Sequence, residues 1–204
     1  MASVYNSAIN RQRRAIKYES YSLSIGELMS MYERSELEIH PEFQRFFRWT
    51  HRQKVAFIES ILLRIPLPGI FVAQRPDAVW DVIDGLQRLS TIFEFVGTLR
   101  NDDGTRAEPL TLSATEYIPE LEGMRYETGE RTLDGPQRIN FRREKLDVKI
   151  ILEESDGTAK YDLFTRLNTG GTPLSPQEVR AAIMIMINSG FYDWLGARAD
   201  VRGK

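Results

Sequence analysis

The stretch VWDVIDGLQRLSTIFEFVG, residues 79–97, decides the fold because its apolar pattern changes in the middle. Val79, Trp80, Val82 and Ile83 are the β-branched and aromatic residues of a strand. Leu89, Ile92, Phe93 and Val96 then recur at helical spacing. Asp84-Gly85 separates the two patterns, and Gly97 supplies the residue that closes a helix most readily. A strand therefore delivers a polar turn, and the turn opens a helix.

Upstream, GIFVAQ (69–74) reads as a strand. Pro76-Asp77 makes the turn that pairs it with 79–83 as a hairpin. Before it, Thr50-His51-Arg52-Gln53 is a capping box. It opens a helix with Val55, Ile58, Ile61, Leu62 and Ile65 on one stripe, helped by Phe57, which Pro66 and Pro68 stop. Glu59 lies inside this helix, and the reading places it pointing outward. Ser24-Ile25-Gly26-Glu27 is another box, starting a helix to about Arg34, and Leu37-Glu38-Ile39 is a short strand.

Downstream, the pattern weakens over 98–143, which reads as an insertion of short strands or irregular loops. LDVKIIL (146–152) is a strand, and a helix follows over about 158–167. A third box, Ser175-Pro176-Gln177-Glu178, opens an apolar helix carrying Val179, Ala182, Ile183, Ile185 and Met186. The organisation expected is an N-terminal arm over 1–22, one domain over 23–190, and a tail or helical start over 191–204. Arg11, Arg13, Arg14 and Lys17 on the arm read as a solvated tail. The fold class expected is mixed α/β (α+β), a small sheet with flanking helices.

Composition narrows the chemistry. Of 204 residues 42% are hydrophobic, so a packed core is expected. The net charge is -2, so any nucleic-acid site must be a local patch rather than the whole surface. No cysteine is present, which excludes disulfides, thiolate nucleophiles and Cys-ligated metals and fits a cytoplasmic protein. His40 and His51 are the two histidines, too few for a multi-His metal site. Carboxylate-bound Mg²⁺ is the cation class left open. No apolar run is long enough to span a bilayer, so no membrane partner is expected.

Three segments can carry chemistry. Asp84-Gly85-Leu86-Gln87-Arg88 places a carboxylate at a strand end, a glycine in the turn and free N–H groups at a helix start, an arrangement that receives phosphate. Arg88 can bind phosphate, and Asp84 can hold a metal ion or orient water. The plainer reading is a strand–turn–helix junction with Asp84 as the cap. Pro41-Glu42-Phe43-Gln44-Arg45, followed by Trp49, adds Gln44 and Arg45 before a well-capped helix; here the plainer reading is core aromatics beside a surface arginine. Five of the seven glutamines precede arginine, so a Gln-Arg pair alone carries no weight. The third segment is FTRLNTGGTPL (164–174). It sets Arg166 and Asn168 beside Gly170, Gly171 and Thr172, where backbone N–H groups can form an anion nest or simply end a helix. No Gly-Lys-Ser/Thr follows, so it is not a Walker A loop.

Taken in order, PEFQRFFRW, IESILLRIPLPGIFV, VIDGLQRLSTI and FTRLNTGGTPLSPQEVRAAI resemble the N-terminal domain of the GmrSD-type modification-dependent restriction proteins, over about residues 25–186. The resemblance implies a ParB/sulfiredoxin-like fold. It also implies binding and hydrolysis of a nucleoside triphosphate, coupled to DNA cleavage in anti-phage defence. The family turn is Asp-Gly-Gln-Gln-Arg. Asp84, Gly85, Gln87 and Arg88 match it, and Leu86 departs from it.

On this basis Asp84, Gln87 and Arg88 are the candidate catalytic residues, with Asp84 as the metal ligand. Gln44, Arg45, Gly85, Arg166, Asn168, Gly171 and Thr172 are the candidate nucleotide and phosphate contacts. The expected partners are a nucleoside triphosphate, Mg²⁺, DNA and a separate nuclease domain or subunit, since two histidines cannot furnish an HNH centre. Two other readings stay open: a direct metal-dependent nickase using the same site, and a non-catalytic module that binds DNA or a partner protein.

Overall fold

The computed structural model describes residues 17–39, 49–101, 103–152 and 155. They form a five-stranded mixed sheet: β1 (Tyr18–Ser24), β2 (Leu37–Glu38), β3 (Ile70–Gln74), β4 (Trp80–Asp84) and β5 (Lys145–Ile151). The strand order is β1-β5-β3-β4-β2. β5 pairs antiparallel with β1 and parallel with β3. β4 pairs antiparallel with β3 and parallel with β2. The helices are α1 (Ile25–Glu33), α2 (His51–Leu62), α3 (Leu86–Val96) and α4 (Gly135–Arg143), with a 3₁₀ turn at Pro119–Leu121. The mixed α/β class expected from the sequence is the class observed.

α1, α2 and α4 each start where a side chain satisfies an orphan N–H group of the first turn. Thr50 and Gln53 cap α2 reciprocally, and Val55, Phe57, Ile58 and Ile61 are buried. Ser24 caps α1 by accepting from the Glu27 N–H. α3 buries Leu89, Ile92, Phe93 and Phe95 and ends at Gly97, whose φ of 77° is left-handed. On β5 the alternation is clean: Leu146, Val148 and Ile150 are buried, while Lys145, Asp147 and Lys149 are exposed. One face of the sheet therefore packs on the helices. Phe93 of α3 stacks on Tyr32 of α1 with ring centroids 4.4 Å apart.

Four expectations change. Tyr18–Ser24 is a strand rather than part of an arm. It is an edge strand, mostly exposed, so burial left no periodic imprint on its sequence. The segment 98–143 contains α4, and it is tied into the core. Phe141 and Tyr126 meet Phe95 edge-on at 5.5 and 5.6 Å. The Asp134–Gln137 capping box and Pro136 announce α4, but only Phe141 along its length is buried, so periodicity hides it. α2 ends at Leu62, with Leu63 as its cap; Ile65 lies beyond it and is 49% exposed. Finally, Glu59 is buried, not outward, and its carboxylate accepts a hydrogen bond from the Thr115 hydroxyl of the insertion.

Among the described residues no helix is long and apolar enough to cross a membrane.

Candidate functional site

The β3–β4 hairpin positions the turn. Its own loop closes through Arg75 N–H to Val79 O at 2.9 Å and Val79 N–H to the Asp77 carboxylate at 3.1 Å. At the other end the ladder slips by one residue. Val72 stands opposite Val82, but Phe71 stands opposite Asp84, so Ile83 is the extra residue of a β-bulge. A bulge re-aims the side chain that follows it. Asp84 is thereby placed opposite Phe71, at the last position of β4.

Gly85 then adopts φ 96° and is itself the N-cap of α3, and among the described residues no side chain caps the helix. The plain reading of Asp84 as a helix cap is thus replaced: Asp84 belongs to the strand and leaves the helix start open. A Cβ at Gly85 would lie 2.3 Å from Ile70 Cγ2. Only glycine satisfies both the left-handed backbone and the packing of β3 against the turn. Leu86, the departure from the family motif, packs against the hydrophobic core. The first intrahelical bond runs from Leu89 N–H to Gly85 O at 3.0 Å. Among the described residues nothing accepts from the N–H groups of Leu86, Gln87 and Arg88. Three donors and the positive end of the helix dipole therefore converge beside the Asp84 carboxylate.

Arg88 is 16% exposed and holds the turn together. One terminal nitrogen, Nη2, donates to Asp84 Oδ2 at 2.9 Å and to the Gly69 carbonyl at 3.0 Å. Its Nε is buried and has no hydrogen-bond partner among the described residues. Arg88 thus acts as a brace between the loop before β3, the end of β4 and the first turn of α3. The Asp84 side chain is 47% exposed, and Arg88 engages one of its two oxygens. Gln87 reaches the other way, its Oε1 accepting from the Trp49 N–H at 3.0 Å. Trp49 packs edge-on against Phe57 at 5.3 Å, so Gln87 couples the start of α2 to the start of α3. Lys54 of α2 and Glu94 of α3 pair at 2.5 Å further along the same seam.

Asp84, Gly85, Gln87 and Arg88 are therefore brought together. Gln44, Arg45, Arg166, Asn168, Gly171 and Thr172 lie outside the described residues. Among the described residues no group of three His, Cys, Asp or Glu side chains could hold a metal ion. Asp84 offers one carboxylate oxygen, which suits a Mg²⁺ that arrives with phosphate ligands of its own but not a cage built by the protein. Sequence reasoning missed the Gly69 carbonyl, the Trp49 amide and the bulge at Ile83. None of them has a side-chain signature, because each depends on strand register.

The family model described as the N-terminal domain of GmrSD restriction endonucleases matches residues 25–185. No curated protein and no solved structure matches the chain. The matched span includes β3, the bulged end of β4, the Asp84–Gly85 turn and α3. The protein belongs to the GmrSD restriction endonuclease N-terminal domain family, and so to a restriction system acting on DNA.

Proposed function

We propose that this chain is the nucleotide-binding domain of its restriction system and takes the phosphates of a nucleoside triphosphate at the start of α3. The observation that carries the reading is a helix start that no described side chain caps, beside a carboxylate re-aimed by a bulge and braced by an arginine. The N–H groups of Leu86, Gln87 and Arg88 receive phosphate oxygens. The oxygen of Asp84 that Arg88 leaves free orients a water or holds a Mg²⁺ carried in by the nucleotide. Gln87 offers the ligand its amide nitrogen, since its oxygen is taken by Trp49. Arg88 is assigned as a positioning residue for Asp84 rather than a direct phosphate clamp. Likeness to ParB and sulfiredoxin domains, and coupling to a nuclease domain or subunit, belong to the same proposal.

The test is calorimetric titration of the four common ribonucleoside triphosphates with Mg²⁺ into the wild type and into Asp84→Asn, with phosphate release measured in parallel. Binding of at least one triphosphate is expected. Asp84→Asn is expected to slow phosphate release at least tenfold while leaving binding within about threefold, because the backbone N–H groups remain. Failure to bind any of the four would sink the proposal. Nicking of supercoiled DNA without nucleotide, lost in Asp84→Asn, would move the site to a direct nuclease.

A further inference from the structure

We infer that the phosphate site extends from the turn across the open face of the sheet, with Lys149 on β5 receiving the phosphate farthest from α3 and Phe71 on β3 serving as its support. This inference rests on the nucleotide reading above.

Register places the three residues in one row. Asp84 of β4 stands opposite Phe71, and Phe71 stands opposite Lys149. At about 4.8 Å per strand, the Lys149 backbone lies roughly 10 Å from that of Asp84. The Lys149 ammonium does not extend freely into solvent. It lies over the Phe71 ring, 5.2 Å from the centroid, and so leans toward the turn. A cation held over an aromatic face loses less side-chain freedom when it meets an anion.

Among the described residues no carboxylate pairs with Lys149. Asp147, two residues away on the same face of β5, is engaged with the Ser22 hydroxyl. Burial on this face changes along the strands. Ala73, Asp81 and Ile151 are buried, whereas Lys149 is exposed and Phe71 and Asp84 are partly so. The exposed part is a short ledge that runs from Lys149 over Phe71 to the turn.

The chemistry of the ledge favours a compact polyanion. Lys145 and Lys149 alternate with Asp147 on β5, and Asp84 stands at the far end. A duplex needs a longer run of cations to displace its counterions. A triphosphate places several charges within a few ångströms, which one ammonium and three helix N–H groups can meet.

The experiment compares nucleoside triphosphate and the matching monophosphate, each with Mg²⁺, on the wild type, Lys149→Gln, Lys149→Arg and Phe71→Leu. Lys149 is exposed, so circular dichroism of the Lys149 variants should match the wild type. Lys149→Gln is expected to weaken triphosphate binding about tenfold, the size of one charge-assisted contact, and monophosphate binding less than twofold. Lys149→Arg should restore most of the loss, and Phe71→Leu should lose a smaller factor of about three. If the wild type binds triphosphate and Lys149→Gln binds it equally well, the inference is overturned and the nucleotide reading stands. Equal weakening of mono- and triphosphate would overturn the distal assignment. A wild type that binds neither overturns both.

Discussion

Gly85→Ala is expected to lower the unfolding free energy by about 3 kcal/mol, the sum of a left-handed backbone forced on a residue with a Cβ and of overpacking against β3. The two costs share one cause. Gly85 must turn with φ 96° to bring α3 directly off β4, and that turn presses it against Ile70, which is fully buried. An added Cβ would sit 2.3 Å from Ile70 Cγ2 and 2.9 Å from Ile70 Cβ, both parts of a side chain that cannot swing away. Urea unfolding measures the effect as a shift in midpoint at unchanged slope. In an Ile70→Ala background the packing part of the cost should shrink, leaving chiefly the backbone part. A loss below 1 kcal/mol for Gly85→Ala would show that the turn can relax, and the rigid presentation of the three N–H groups would fail with it.

Asp81→Ala is expected to cost about 3 kcal/mol, because it leaves a guanidinium without its counter-charge inside the sheet. Asp81 is 2% exposed and pairs with Arg75 Nη2 at 2.8 Å, and Arg75 Nε is already buried without a hydrogen-bond partner among the described residues. The pair lies within the β3–β4 hairpin. Asp81 stands in register with Ala73 on β3 and with Glu38 on β2, so the charge pair sits where three strands meet. The melting temperature should fall by roughly 6–12 °C. A double-mutant cycle with Arg75→Ala should show coupling of at least about 1 kcal/mol, since the two side chains share one interaction. Additive losses would contradict the pairing.

The elements with one buried face were legible in the sequence, and the elements without one were not. α2 and α3 write their burial as a helical stripe, and Thr50 and Gly97 mark their ends. β1 is exposed along most of its length, and α4 buries only Phe141, so neither left a period to read. Glu59 shows the opposite limit. A carboxylate among apolar residues reads as outward, and its burial became visible only once the insertion supplied Thr115. The candidate site divides in the same way. Asp84, Gly85, Gln87 and Arg88 form one local string, and spacing alone brought them together. The bulge at Ile83, the Gly69 carbonyl and the row through Phe71 to Lys149 depend on pairing between strands 13 to 78 residues apart in sequence. A one-residue slip would turn each of them to another face, and no single-strand pattern specifies that register. The role of Arg88 also changed. Sequence chemistry suggested a phosphate clamp, whereas its hydrogen bonds make it the brace that holds Asp84.

The most direct test of the central claim is amide chemical-shift perturbation by NMR as a nucleoside triphosphate and Mg²⁺ are added to the uniformly ¹⁵N-labelled chain. The account predicts the largest, saturable shifts at the amides of Leu86, Gln87 and Arg88, with smaller ones at Phe71 and Lys149. Saturable shifts confined elsewhere would contradict it. One such place is the cavity of about 280 Å³ lined by Ile61, Leu121, Met124 and Phe141, between α2, α4 and the insertion. In that case the turn at Gly85 would be a structural junction alone.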